Sequence, residues 1–123
     1  MSTGTAPVIV RPRESHTNEA SYLVFDSKKK GIENDLAQYE AQLMKASDDT
    51  ITKKEVGTFT EAVRHDYERA ANQNDIHWHV SDEYAEKLSH SMSNTKLGLD
   101  ALERIKHAWV SLIKLESANP DFV

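Results

Sequence analysis

The chain has 123 residues, 38% of them hydrophobic and 28% charged, which is one domain's worth: apolar side chains suffice for one seam between helices but not for burying every segment. Cysteine is absent, excluding disulfide staples, thiolate nucleophiles and cysteine-ligated metals, and no apolar run approaches the roughly 18 residues that cross a bilayer. The net charge of -5 is unevenly placed: Arg11, Arg13, Lys28, Lys29 and Lys30 against Glu14, Glu19 and Asp26 give residues 1–31 a balance of +2, leaving -7 for the remainder.

An acidic body repels phosphate backbones, so direct nucleic-acid binding is disfavoured. The Lys28-Lys29-Lys30 triplet reads as a solvated charge run before a helix. The amino terminus lacks the basic-then-apolar order of a secretory signal, which makes the cytoplasm the default compartment and leaves open export by a route that needs no cleaved signal.

Taken in chain order, residues 1–31 are rich in Ser, Thr, Pro and charge and show no helical period, so they read as a flexible or extended tail, at least partly disordered. Two apolar clusters interrupt it. Val8-Ile9-Val10 lies between Pro7 and Pro12, which confine it to an edge or isolated strand. Tyr22-Leu23-Val24-Phe25 is a denser β-branched and aromatic run that suits extended backbone. These clusters either fold back on the helices or add as strands to a partner's sheet.

From Ile32 the pattern changes, because Ile32, Leu36, Tyr39 and Leu43 recur at helical spacing and predict a helix over about 32–46. Ser47-Asp48-Asp49-Thr50 breaks the period. Thr52 with Glu55 three residues on is a capping box, opening a second helix whose buried face is Val56, Phe59, Val63, Tyr67 and Ala70 and which ends near Asn72–Asp75. Ser81, followed by Asp82 and Glu83, predicts the cap of a third helical stretch, with Val80 placed for a hydrophobic staple to Ala85.

The apolar face of that stretch runs Tyr84, Leu88, Met92, Leu99, Leu102, Ile105, Trp109, Leu112, and Asn119-Pro120 ends it. As one helix it would be about 50 Å long, beyond the diameter of a domain this size, so it must break near Ser93-Asn94 or Gly98, or project and pair with another chain. The heptad columns Leu88, Thr95, Leu102, Trp109 and Tyr84, Ser91, Gly98, Ile105, Leu112 place the better coiled-coil strip in the carboxy-terminal half. The fold class is all-α: a helical hairpin or three-helix bundle over 32–123, with a long carboxy-terminal helix behind an extended amino-terminal tail.

Six histidines invite a metal hypothesis. Neither Glu-x-x-His nor His-Glu-x-x-His occurs. Glu61/His65, Glu86/His90 and Glu103/His107 are spaced one helical turn apart, as solvent-facing ion pairs are. His77-Trp78-His79 specifies two imidazoles on one side of an extended loop, which with Asp75 or Asp82 approach a metal-ligand set but fall short of the three or four donors of a dependable site. The same segment reads as apolar plugs, Ile76, Trp78 and Val80, sealing the end of a helical hairpin. A tryptophan in such a turn is similar in placement to that of the small Trp-x-Gly proteins exported without a signal peptide, but His79 and Val80 follow Trp78, the defining glycine is missing, and membership is not claimed. Nucleophile elbows and phosphate-cradling glycine loops are absent from the sequence.

These readings point to a non-enzymatic protein–protein interaction module without a cofactor, an assembly subunit, adaptor, chaperone-like factor or inhibitor. It would form a homo-oligomer or bind another protein through Leu99, Leu102, Ile105, Trp109 and Leu112, with Tyr22, Leu23, Val24 and Phe25 as a second contact element. Two rival readings are a metal-binding or pH-responsive protein centred on His77 and His79, and an acidic nucleic-acid mimic that competes for a basic groove.

Overall fold

A computed structural model describes residues 12–70 and 75–123, with side chains described from Glu19 onward. The described residues form α1 (Pro12–Ala46), α2 (Lys53–Ala70), α3 (His79–Ser89) and α4 (Thr95–Ala118), followed by a 3-10 turn (Pro120–Phe122). Among the described residues there is no strand, and no helix is long and apolar enough to cross a membrane.

The first helix begins twenty residues before its predicted start. Residues 12–31, read from sequence as part of an extended tail, are helical, while residues 1–11, with the Val8-Ile9-Val10 cluster, lie outside the described residues. Pro12 is compatible with that start, since the first helical position has no use for the N–H that proline lacks. The decisive force is tertiary. Phe25 stands seven residues before Ile32, and Tyr22 seven before Lys29, so both extend the seam that continues through Leu36, Tyr39, Leu43 and Ala46; Phe25 is buried against Phe122, ring centroids 5.5 Å apart. Contact with the far end of the chain overrides the extended preference of a β-branched run, as packing commonly does with propensities of a few tenths of a kcal/mol per residue.

At Ala46 the helix stops because Asp48 and Asp49 take positive φ, 49° and 64°, a conformation aspartate tolerates better than most side chains. The buried Ser47 holds the turn together, its hydroxyl donating to the Met44 carbonyl and accepting from the Ile51 amide. The predicted capping box then opens α2: Thr52 N donates to Glu55 Oε1 at 2.9 Å, and Glu55 N to Thr52 Oγ1 at 3.4 Å.

The third helix starts at His79 and not at Ser81. Its cap comes from another element: the buried Asp66 of α2 accepts from Val80 N at 3.3 Å, from Ser81 N at 2.8 Å and from the Ser81 hydroxyl at 2.8 Å. A carboxylate at the positive end of a helix satisfies orphan donors and complements the dipole together, and Ser81, sited inside the first turn, becomes a donor to the cap. Val80 is consequently exposed and not in the position of a staple.

The long carboxy-terminal stretch does break where Ser93-Asn94 suggested. Asn94 caps α4, its side-chain oxygen accepting from Leu97 N at 3.1 Å, and the turn is anchored to α1 by Ser93 N, Asn94 N and Ser93 Oγ, all donating to the Ala46 carbonyl. Gly98 is no breakpoint. It lies buried in the first turns of α4, where a Cβ would collide with the Met92 thioether, so glycine lets the α3–α4 turn close on the helix.

Packing centres on α4, which lies antiparallel to α1 and also meets α2 and α3. The register of the α1–α4 pair is marked by Lys29–Glu116 at 3.5 Å near one end and by Gln42 Nε2 donating to the Leu97 carbonyl near the other. Leu36 and Leu43 from α1, Ile51, Val56, Phe59 and Val63 from the turn and α2, Leu88 from α3, and Ala101, Leu102, Ile105 and Leu112 from α4 form one core. Each fully buried aliphatic among them contributes roughly 1.5–3 kcal/mol relative to exposure.

Candidate protein-interaction surface

The apolar face of α4, the stripe that sequence periodicity marked for a partner, is consumed inside the chain. Leu102, Ile105 and Leu112 are core residues, and Trp109 is half-buried, its ring 5.5 Å from the Arg64 guanidinium of α2. Leu102, Ile105 and Leu112, expected at a partner contact, thus lie in the core with Trp109 packed beside them: periodicity shows that a face must be covered, and within the described residues α1 and α2 meet it. Phe25 moves to the interior with them. What stays outside is Leu99, 41% exposed, and Tyr22, Leu23 and Val24, at 45%, 63% and 56%.

The reason for the second group is a mismatch in length. The 35 residues of α1 span about 52 Å, the 24 of α4 about 36 Å. The chain end after α4 reaches Phe25 and Tyr22 through Phe122, which meets Tyr22 edge-on with centroids 5.5 Å apart. Residues 19–24 are exposed throughout. Leu23 and Val24 fall off the seam defined by Tyr22, Phe25 and Lys29, and so face away from α4. Ala20, Ser27 and Gly31 are exposed on the same flank, and space is open above Gly31. Lysines border this flank: Lys28 is exposed, Lys29 pairs with Glu116, and Lys30 bonds Asp26 at 3.0 Å, an interaction that raises the lysine's pKa above its ordinary value.

A second open surface lies between α3 and α4, a groove of about 620 Å³. Phe59 and Leu102 form its floor, Ala85, Ser89 and Leu99 its walls, and Asp82, Glu86, Asp100 and Glu103 its rim. The buried Lys106 reaches in from below, with its ammonium 3.0 Å from Glu103 and 4.8 Å from the centre of the Trp78 ring. Of the three apolar residues expected to plug this end, Trp78 packs against the core, with a cation beneath its face, while Val80 is exposed; a cation–π contact is worth more when desolvated. Asp100 is held below the ordinary carboxylate range first by the Gln42 side-chain hydrogen bond and then by the nearby Arg104.

The five histidines whose side chains are described are all exposed. His77 and His79 stack with centroids 5.7 Å apart and planes 13° from parallel, and His77 Nε2 lies 4.0 Å from Asp75. Among the described residues no group of three or more His, Cys, Asp or Glu side chains converges to hold a metal ion, and Arg69 lines the same cleft. Of the three Glu/His pairs, Glu103–His107 closes at 3.3 Å, while His65 lies 3.8 Å from Asp66.

Asp66 and Lys106 are the consequential residues that sequence reasoning missed. Asp66 fits the buried register of α2 as well as Tyr67 does, because steps of three and of four from Val63 both stay on the face; an acid at that register was the available signal. Comparison with known proteins adds nothing to these observations: no family model matches the chain, and no curated protein or solved structure is detectably similar to it.

Proposed function

We propose that this protein is a non-enzymatic interaction module that assembles with further copies of itself through the projecting end of α1. The observation that carries the reading is Leu23 and Val24, exposed at successive positions of a helix that, among the described residues, continues past the end of α4. Adjacent large apolar side chains on an unpartnered helix face are the ordinary substrate of association. A second copy suits this face because the charge of the chain is split, +2 over residues 1–31 and -7 elsewhere, so unlike regions of two copies attract while like regions repel.

One helix face of three turns covers less than the roughly 800 Å² per partner of a standard interface. Association is therefore weak, in the micromolar range. Mass measured by sedimentation equilibrium from about 1 to 500 μM, bracketing that range, rises above the monomer's 13.9 kDa with concentration; a constant monomer mass throughout contradicts the proposal. The rival metal reading is met by elemental analysis and melting with and without a chelator: bound metal or a chelator-induced fall in melting temperature would favour it.

A further inference from the structure

Self-association leaves open what the projecting helix docks on, and the groove between α3 and α4 answers in shape and charge. We infer that residues 20–30 of α1 in one copy lie in the α3–α4 groove of the next, in a head-to-tail contact; the inference rests on the self-association proposed above. The groove is bounded by the 11 residues of α3, about 16 Å of helix, which matches the length of the 11-residue segment. Its floor is apolar and its wall carries Leu99, the large apolar side chain of α4 left 41% exposed. The incoming face is Leu23 and Val24.

Charge fixes the pairing. Asp82 and Glu86 on the α3 side of the groove are exposed, and the exposed Lys28 follows Val24 by one turn of α1, with Lys30 beyond it beside its own Asp26. Opposite charges bordering an apolar contact steer approach and reject the like-charged alternative, in which two acidic grooves or two lysine-flanked helices would meet. The surfaces cannot meet within one chain: Leu99 lies near the start of α4, about 28 Å along the helix from its end at Ala118, and α1 emerges past that end, beside Phe122. A contact between two different patches of identical subunits leaves one copy of a pair with an unused groove and the other with an unused helix, so it propagates as a chain or closes as a ring.

Complementation between two variants tests this. Leu23→Asp/Val24→Asp removes the donor helix face, and Leu99→Arg blocks the acceptor groove; Glu86→Arg serves as a second groove variant at an exposed side chain. Circular dichroism melts verify that each is folded. Each variant alone stays at the monomer mass at concentrations where the wild type has grown beyond a dimer. An equimolar mixture of a donor variant and a groove variant forms a one-to-one heterodimer and stops there, since one intact helix and one intact groove remain. Raising salt to about 0.5 M, where the screening length falls to a few ångströms, weakens the wild-type association at least tenfold. If the wild type self-associates but the mixture stays monomeric, or if both groove variants assemble like wild type, the head-to-tail contact is overturned and self-association through α1 stands. A wild type that never leaves the monomer overturns both.

Discussion

The two ends of α1 share one helical backbone and have opposite fates. From Phe25 to Ala46 every third or fourth residue meets α4 or the chain end behind it, and Leu43 and Ala46 are wholly buried. From Leu23 back towards Pro12 the helix continues, but α4 has ended. Helical backbone bonds are local, and extending an already formed turn adds one bond for each residue fixed, whereas burial requires a second surface. The difference between the two ends thus lies in what stands opposite, and apolar residues at the unopposed end are available to another molecule.

Substitutions sharpen that contrast in order of effect. Ile105→Ala, at the centre of the wrapped region, creates a cavity among α1, α2 and α4 and lowers unfolding free energy by about 2–5 kcal/mol, measured by urea titration. Asp66→Ala removes the carboxylate that receives the first-turn amides of α3 and leaves them without a partner, a loss of about 1–3 kcal/mol. Its signature is local: amide exchange rises first over His79–Ser89. Asp66→Asn keeps one acceptor oxygen and falls between the two.

At the unopposed end, Leu23→Ala changes the stability of the monomer by less than about 0.5 kcal/mol, as exposed positions do. A loss near that of Ile105→Ala in dilute protein would mean that Leu23 is covered within the chain, and would break the contrast. The smallest effect is one of pH. Because Gln42 holds the folded-state Asp100 carboxyl below the ordinary carboxylate range of roughly 4, the bond stabilises the fold above that range, and the contribution is lost as pH falls through the lowered value. Gln42→Ala and wild type therefore differ slightly at neutral pH and converge in strong acid, in chemical denaturation curves recorded across the carboxylate range.

How much of this was legible follows from whether the signal was local. At Ser93-Asn94 the sequence suggested a break and not the Asn94 cap, whereas the Thr52/Glu55 box and the Ser47–Thr50 turn use partners within four residues and were readable from spacing. The first turns of α1 were not, because Lys28-Lys29-Lys30 interrupts the apolar run across Tyr22–Phe25 and hides that Phe25 keeps the register of Ile32. The Asp66 cap lies outside local reach as well, joining residues 14 and 15 positions apart. The stripe on α4 was visible, but periodicity carries no information on which surface covers it. That shortfall displaced Leu102, Ile105 and Leu112 from interface to core, while Leu23 and Val24, read as a second contact element, remain at the candidate surface.

Hydrogen exchange followed residue by residue at low and at high protein concentration bears most directly on the assignment of inside and outside. Amides of Ala101–Ile113 should already be strongly protected in dilute monomer and change little on concentration, while those of Ala20–Lys30 begin weakly protected and slow as copies associate. Protection that builds in α4 only as concentration rises, with α1 unchanged, would place the intermolecular contact on the α4 stripe and contradict the account.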